Sequence, residues 1–223
     1  MNREHHERHT ERRAERHEFR ERRRQRRHTQ TREEILVAAR EVLLERGAAD
    51  LSLREIARRA DFSPGALYKY FDNKDDVIKA LADKAMGALL AEFAKVTPAL
   101  PPDERALELG MAYLAFARHH PEDVAVIALH ESTVHPLPLT NEHLQMEEVV
   151  IGVFQDGVAQ GVFTLAEGEE PDYMAYGAWA LVQGLAAFEQ QQRPGVAEKV
   201  RSKQRQLLRA YINGLKTDWS GAD

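Results

Sequence analysis

Leu51–Leu81 reads LSLREIARRADFSPGALYKYFDNKDDVIKAL, and the rest of the chain is best read outward from it. Ser52 and Glu55 have the spacing of a capping box, and Leu51 and Ile56 that of a hydrophobic staple, so a helix starts at Leu53 and runs to about Ala60. The device repeats at once. Ser63 is placed to cap, Pro64 suits a first helical position, and Phe62 can staple onto Leu67, which predicts a second helix over 64–71. Only Asp61, Phe62 and Ser63 separate the two helices. Helices joined by so tight a turn must cross steeply, with Ile56, Ala57, Ala60, Leu67 and Phe71 facing inward. That is helix-turn-helix geometry, in which the second helix protrudes and fits a DNA major groove.

The outward residues of the second helix suit that use. Gly65 and Ala66 allow close approach to base edges, Tyr68, Lys69 and Tyr70 bring two phenols and a cation, and Lys74 opens the next helix beside them. Upstream, Ile35, Ala39, Val42 and Leu43 mark one face of a helix stopped by Gly47. Downstream, Ile78, Leu81, Ala85, Leu89 and Phe93 mark a long helix over 74–96, with Gly87 inside it. Pro98, Pro101 and Pro102 then break the chain and suggest a domain seam. Further helices are expected over 103–119, 121–130, 140–160, 171–192 and 195–216. No alternating strand pattern occurs, so the fold class is all-α.

Composition agrees. Hydrophobic residues at 43% and charged residues at 30% describe a globular chain with a charged surface. The absence of cysteine excludes disulfides and thiolate metal sites and fits a cytoplasmic protein; no run is apolar enough for a membrane span or a secretory signal. The net charge of −5 hides an asymmetry. Residues 1–30 carry 11 Arg against 6 Glu, whereas the remainder carries 20 basic and 30 acidic residues. A basic arm on an acidic body points to a polyanion partner at one end. With Phe19 as its one aromatic, the arm cannot bury enough apolar surface to offset ordering entropy, so it is expected to be disordered, although its Arg/Glu alternation can hold a transient helix.

On these residues the sequence resembles the TetR family of bacterial regulators. The match is carried by TREEILVAAREVLLERG (31–47), LSLREIARRA, SPGALYKYF and NKDDVIKAL, with Asp61 where that family usually has glycine. Asp tolerates a left-handed conformation, so the same turn is expected. YLAFARHHPEDV (113–124) and WALVQGL (179–185) are similar to the C-terminal domain of relatives named for a Trp-His-Gly signature, with Gln183 in the histidine's place. The resemblance implies a helical C-terminal domain that dimerises through its last two long helices and encloses a ligand cavity.

The expected organisation is an Arg-rich arm (1–30), a three-helix DNA-binding domain (31–76), a ligand-binding and dimerisation domain reached through the long helix (77–217), and a tail (218–223). Residues assigned to DNA are Thr31, Ser52, Arg54, Ser63, Gly65, Ala66, Tyr68, Lys69, Tyr70 and Lys74, with Arg24, Arg26 and Arg27 of the arm. The pocket candidates are Met86, Phe93, Met111, Phe116, Met146, Phe154, Trp179 and Gln183, although such residues at helical spacing are more often plain core. His5, His6 and His9 of the arm and His119, His120, His130, His135 and His143 lack a metal-ligand spacing, and no phosphate loop, nucleophile elbow or HExxH pair occurs, so neither a cofactor nor an enzyme is expected. The expected function is a homodimeric repressor on palindromic or near-palindromic operator DNA, released by a small, largely apolar ligand. An activator, a ligand-independent regulator and an Arg-rich non-specific DNA-binding protein are the alternatives.

Overall fold

Ile35, Leu36, Ala39, Val42 and Leu43 are buried along one side of the first helix, and the N-terminal unit condenses on that stripe. The computed structural model describes residues 3–47, 50–131, 141–165, 168–190 and 195–216. Among these every regular element is a helix: α1 Arg3–Arg46, α2 Leu53–Arg59, α3 Pro64–Leu67, α4 Lys74–Phe93, α5 Pro102–His119, α6 Pro121–Glu131, α7 Asn141–Ala159, α8 Asp172–Gln190 and α9 Val196–Gly214. The expected tail lies outside the described residues. The chain divides into two compact units, 1–80 and 81–223. The division falls inside α4 and not at the proline cluster, because Ala85, Met86, Leu89 and Phe93 already belong to the core of the second unit.

The expected disordered arm is corrected from Arg3 onward: α1 is a single helix of 44 residues where a start at Thr31 was expected. The reason is local. No glycine or proline occurs before Gly47, and Arg, Glu and Gln are good helix formers. The buried stripe at 35–43 supplies the nucleus, so extending the helix outward adds a hydrogen bond per residue without a new nucleation cost. Arg22 meets Glu18 at 2.6 Å and the Gln30 amide donates to Glu34 at 3.2 Å, both i,i+4.

In the second unit α5 packs against α7, α8 and α9, and α8 lies along α9. Leu107, Leu114, Phe154, Met174, Val182 and Leu208 fill the interior. Two close approaches need glycine. The Tyr211 ring lies against Gly177, its hydroxyl donating to the Met174 carbonyl at 2.8 Å, so α8 and α9 touch with no Cβ between them. The Phe163 ring lies over Gly157 in the same way. Outside the core, Asp103–Lys216 (2.5 Å), Glu104–Arg209 (2.8 Å) and Glu108–Arg205 (2.7 Å) form a ladder from α5 to α9. Lys216 and Arg209 hold the Asp103 and Glu104 carboxyls below the usual carboxylate range, so these two rungs are intact at neutral pH and are lost as pH falls through that lowered range.

Candidate nucleic-acid interface

The helix-turn-helix is built by local chemistry. Ser52 Oγ accepts from the Glu55 amide at 3.3 Å, which caps α2. The other half of the expected capping box is not made. The Glu55 carboxylate is drawn outward to Arg58 (2.6 Å) and Arg46 (3.1 Å), two guanidinium groups that outcompete one backbone amide. α2 ends in a Schellman turn: the Phe62 amide donates to Ala57 O at 2.9 Å and Asp61 takes φ +58°. Asp61 thus adopts the left-handed conformation that glycine takes most readily. Arg59 reaches back to Glu41 (3.1 Å) and Glu45 and clamps α2 onto α1.

α3 is shorter than the expected helix over 64–71. It is α-helical only from Pro64 to Leu67, then tightens into i,i+3 turns through Lys69→Ala66 (3.2 Å) and Tyr70→Leu67 (2.8 Å). Ser63 does not cap through its side chain as expected. Pro64 has removed one amide donor, and the Ser63 carbonyl accepts from Ala66 at 2.9 Å. Leu67 and Phe71 are buried and anchor the segment, while the Arg32 guanidinium lies 5.0 Å from the Phe71 ring centroid. α4 starts on side-chain bonds in both directions: Asn73 Oδ1 accepts from the Asp76 amide (2.9 Å), and Asp76 accepts from the Asp72 amide (3.1 Å).

On this frame Ser52, Arg54, Ser63, Gly65, Tyr68, Lys69 and Lys74 are exposed, and Ala66 is half-buried. A Cβ on Gly65 would meet nothing within 4 Å, so the start of α3 is open to a bulky partner. Tyr70 differs from Tyr68. It is half-buried, its ring 4.6 Å from that of His28. His28, which the sequence reading passed over, joins Arg20, Arg23, Arg24, Arg27, Lys69 and Tyr70 around an open cleft within the N-terminal unit. Arg26 is exposed but does not line it, and Thr31 is half-buried.

The second unit holds a cavity of about 250 Å³ between α4, α7 and α8. Met86, Met146 and Trp179 line it. His143, Glu147, Val150, Ile151, Ala175 and Tyr176 join them. Phe93 and Phe154, with Trp179, border a second void of about 30 Å³. Met111, Phe116 and Gln183 line neither; Phe116 belongs to the packed core and half-buried Met111 packs against it. Spacing on α7 carries the missed signal, since 143, 146, 147, 150 and 151 share one face. The buried rings of His130 and His143 stack at 4.6 Å beside this cavity.

Comparison with known proteins agrees at both ends of the chain. Residues 35–81 match the family of bacterial regulatory proteins of the tetR type, and residues 106–211 match the tetracycline repressor-like C-terminal domain. The transcriptional repressor BepR of Brucella suis is 27% identical over 192 residues, covering 85% of this chain and 80% of its own. The transcriptional repressor KstR2 of Rhodococcus jostii is 24% identical over 195 residues, covering 82% and 90%. In fold, the chain resembles the ketosteroid transcriptional regulator KstR2 of Mycobacterium tuberculosis, with a TM-score of 0.59 at 23% identity over 84% of this chain and 95% of that one. Two family domains in the right order, together spanning well over half the sequence, and a helix-turn-helix built where the first one matches make this chain a member of the TetR family of DNA-binding transcription regulators.

Proposed function

We propose that this protein is a homodimeric repressor that reads operator DNA with α3 and leaves it when a small, largely apolar ligand enters the cavity between α4, α7 and α8. The observation that carries the reading is the exposed start of α3 on a helix pair fixed by the Ser52 cap and the Asp61 turn, in a chain whose other unit has an apolar cavity. A lone helix-turn-helix reads only a few base pairs, so useful specificity calls for two copies on half-sites spaced by helical turns. Exposed apolar side chains on α8 and α9, namely Tyr173, Tyr176, Phe188, Val196 and Leu207, offer the surface for a four-helix interface. The names of BepR and KstR2 as repressors favour repression over activation.

Competition between a duplex selected by the protein from a random pool and an unselected duplex, at fixed salt, tests the core of this reading. A regulator prefers the selected duplex by ~10³-fold or more; equal affinities would mean a non-specific binder. Sedimentation at micromolar concentration tests the dimer. Lys74→Ala separates the roles of individual residues. As a phosphate contact it should weaken selected and unselected DNA alike and flatten the log K against log salt slope by about 1 per protomer. Substitutions at Ala66 or Tyr68 should instead change which bases are preferred. An unchanged salt slope in Lys74→Ala would exclude the proposed docking pose.

A further inference from the structure

Arg20, Arg23, Arg24 and Arg27 follow one another at i, i+3, i+4 and i+7, so the helical form of the arm gathers them on one stripe. That stripe faces the cleft closed on its other side by Lys69 and Tyr70 of the DNA-reading segment, and no carboxylate lines the cleft. Several arginines elsewhere are neutralised: Arg59 by Glu41 and Glu45, Arg105 by Asp156, Arg205 by Glu108 and Arg209 by Glu104. Among the described residues no carboxylate pairs with the four stripe arginines. Glu18, the nearest acid with a described pairing, is taken by Arg22 on another face. Four cations converging on a cleft that no carboxylate lines repel one another, and that cost is recovered when a polyanion occupies the cleft. The His28–Tyr70 ring contact sets the spacing between the arm and the reading segment.

We propose that the N-terminal extension of α1 is a rigid second DNA-binding element, whose stripe of Arg20, Arg23, Arg24 and Arg27 tracks the phosphodiester backbone flanking the groove entered by α3. The proposal rests on the reading of α3 as the DNA-reading segment and extends it from base recognition to the flanking backbone. Its reach follows from helix geometry. Arg20 to Arg27 spans roughly 10 Å at ~1.5 Å per residue. Against one phosphate per ~3.4 Å of axis along one strand, that is about three phosphates per protomer. Because the stripe meets phosphates and not base edges, it adds affinity and lengthens the footprint without adding sequence preference.

The test uses the full chain with Arg20, Arg23, Arg24 and Arg27 all replaced by Gln, which keeps good helix propensity. The comparison variant carries Arg22→Gln, on another face of the helix. The probes are the selected and the unselected duplex. At ~0.9 per phosphate the stripe variant should flatten the log K against log salt slope by roughly 2–3 per protomer, about twice that for two. The loss should be equal on both duplexes, with the ratio between them preserved. Hydroxyl-radical protection flanking each half-site should be present with the wild-type chain and missing with the stripe variant. The other-face variant should keep that protection and most of the slope. An unchanged slope, unchanged flanking protection, or a per-arginine loss as large in the other-face variant would each overturn the backbone track. Failure of the α3 reading looks different, since the wild-type chain would then not prefer its selected duplex.

Discussion

Gly157→Ala is expected to lower the melting temperature by several degrees, although it adds a single methyl group. Gly157 lies near the end of α7, and a Cβ there would penetrate the Phe163 ring, coming within 3.2 Å even of its Cγ. The ring cannot step aside. It is buried, packs against Phe154 with centroids 5.5 Å apart, and is held by its own backbone. The amides of Val162 and Phe163 both donate to the Gly157 carbonyl, at 2.8 and 3.1 Å, in a turn completed by Gly161 at φ +69°. Overpacking of this kind costs ~1–3 kcal/mol. At ~2–4 °C per kcal/mol for a chain of this size, that is a drop of roughly 2–12 °C. Phe163→Ala alone should cost ~3–5 kcal/mol by leaving a cavity. The two changes together should cost less than their sum, because the added methyl then has room. Chemical denaturation of the two single variants and the double variant measures this, and a Gly157→Ala melting point equal to wild type would show that the ring can move.

The parts of the molecule legible in the sequence are those fixed by neighbours in the chain. Ser52 caps α2, Asp61 adopts the left-handed turn, and Leu67 and Phe71 point inward because caps and staples act over three or four residues. The failures come mostly from competing partners that a single motif leaves out. Glu55 satisfies the capping-box pattern, yet Arg58, one turn on, and Arg46, nine positions earlier, draw its carboxylate away. The arm's composition describes a segment that cannot fold alone. Continuity with a buried helix face removes the nucleation cost that composition assumes. The pocket shows the same limit. Met86 and Met146 line the cavity while Phe116 fills the core and Met111 packs against it, and helical spacing treats all four alike. His143 and Glu147 were hidden for the opposite reason, since polar residues on a helix read as solvated until a second helix faces them.

Operator DNA is expected to weaken ligand binding by ~5–150-fold, the factor by which the ligand weakens operator binding, if the proposed release mechanism holds. The element that can carry the coupling is α4, which starts at Lys74 in the N-terminal unit and continues unbroken to Phe93 in the second. Met86, on that helix, lines the cavity, so an occupant touches the same helix that begins beside the reading segment. Gly87 is the next residue. A Cβ there would meet nothing within 4 Å, so close packing does not require glycine at this position, and its remaining physical consequence is a helix easier to bend. Gly87→Ala should therefore stiffen α4 and shrink the coupling factor while the cavity stays open. A ligand found by thermal-shift screening can be titrated with and without operator, with Trp179 in the cavity wall as the fluorescent reporter. Trp219 is the chain's one other tryptophan and can be replaced by Phe beforehand. A ligand that binds both states equally shifts nothing, however tightly it binds. Identical ligand affinities with and without operator would exclude allosteric release, and an unaltered factor in Gly87→Ala would exclude bending of α4 as its route.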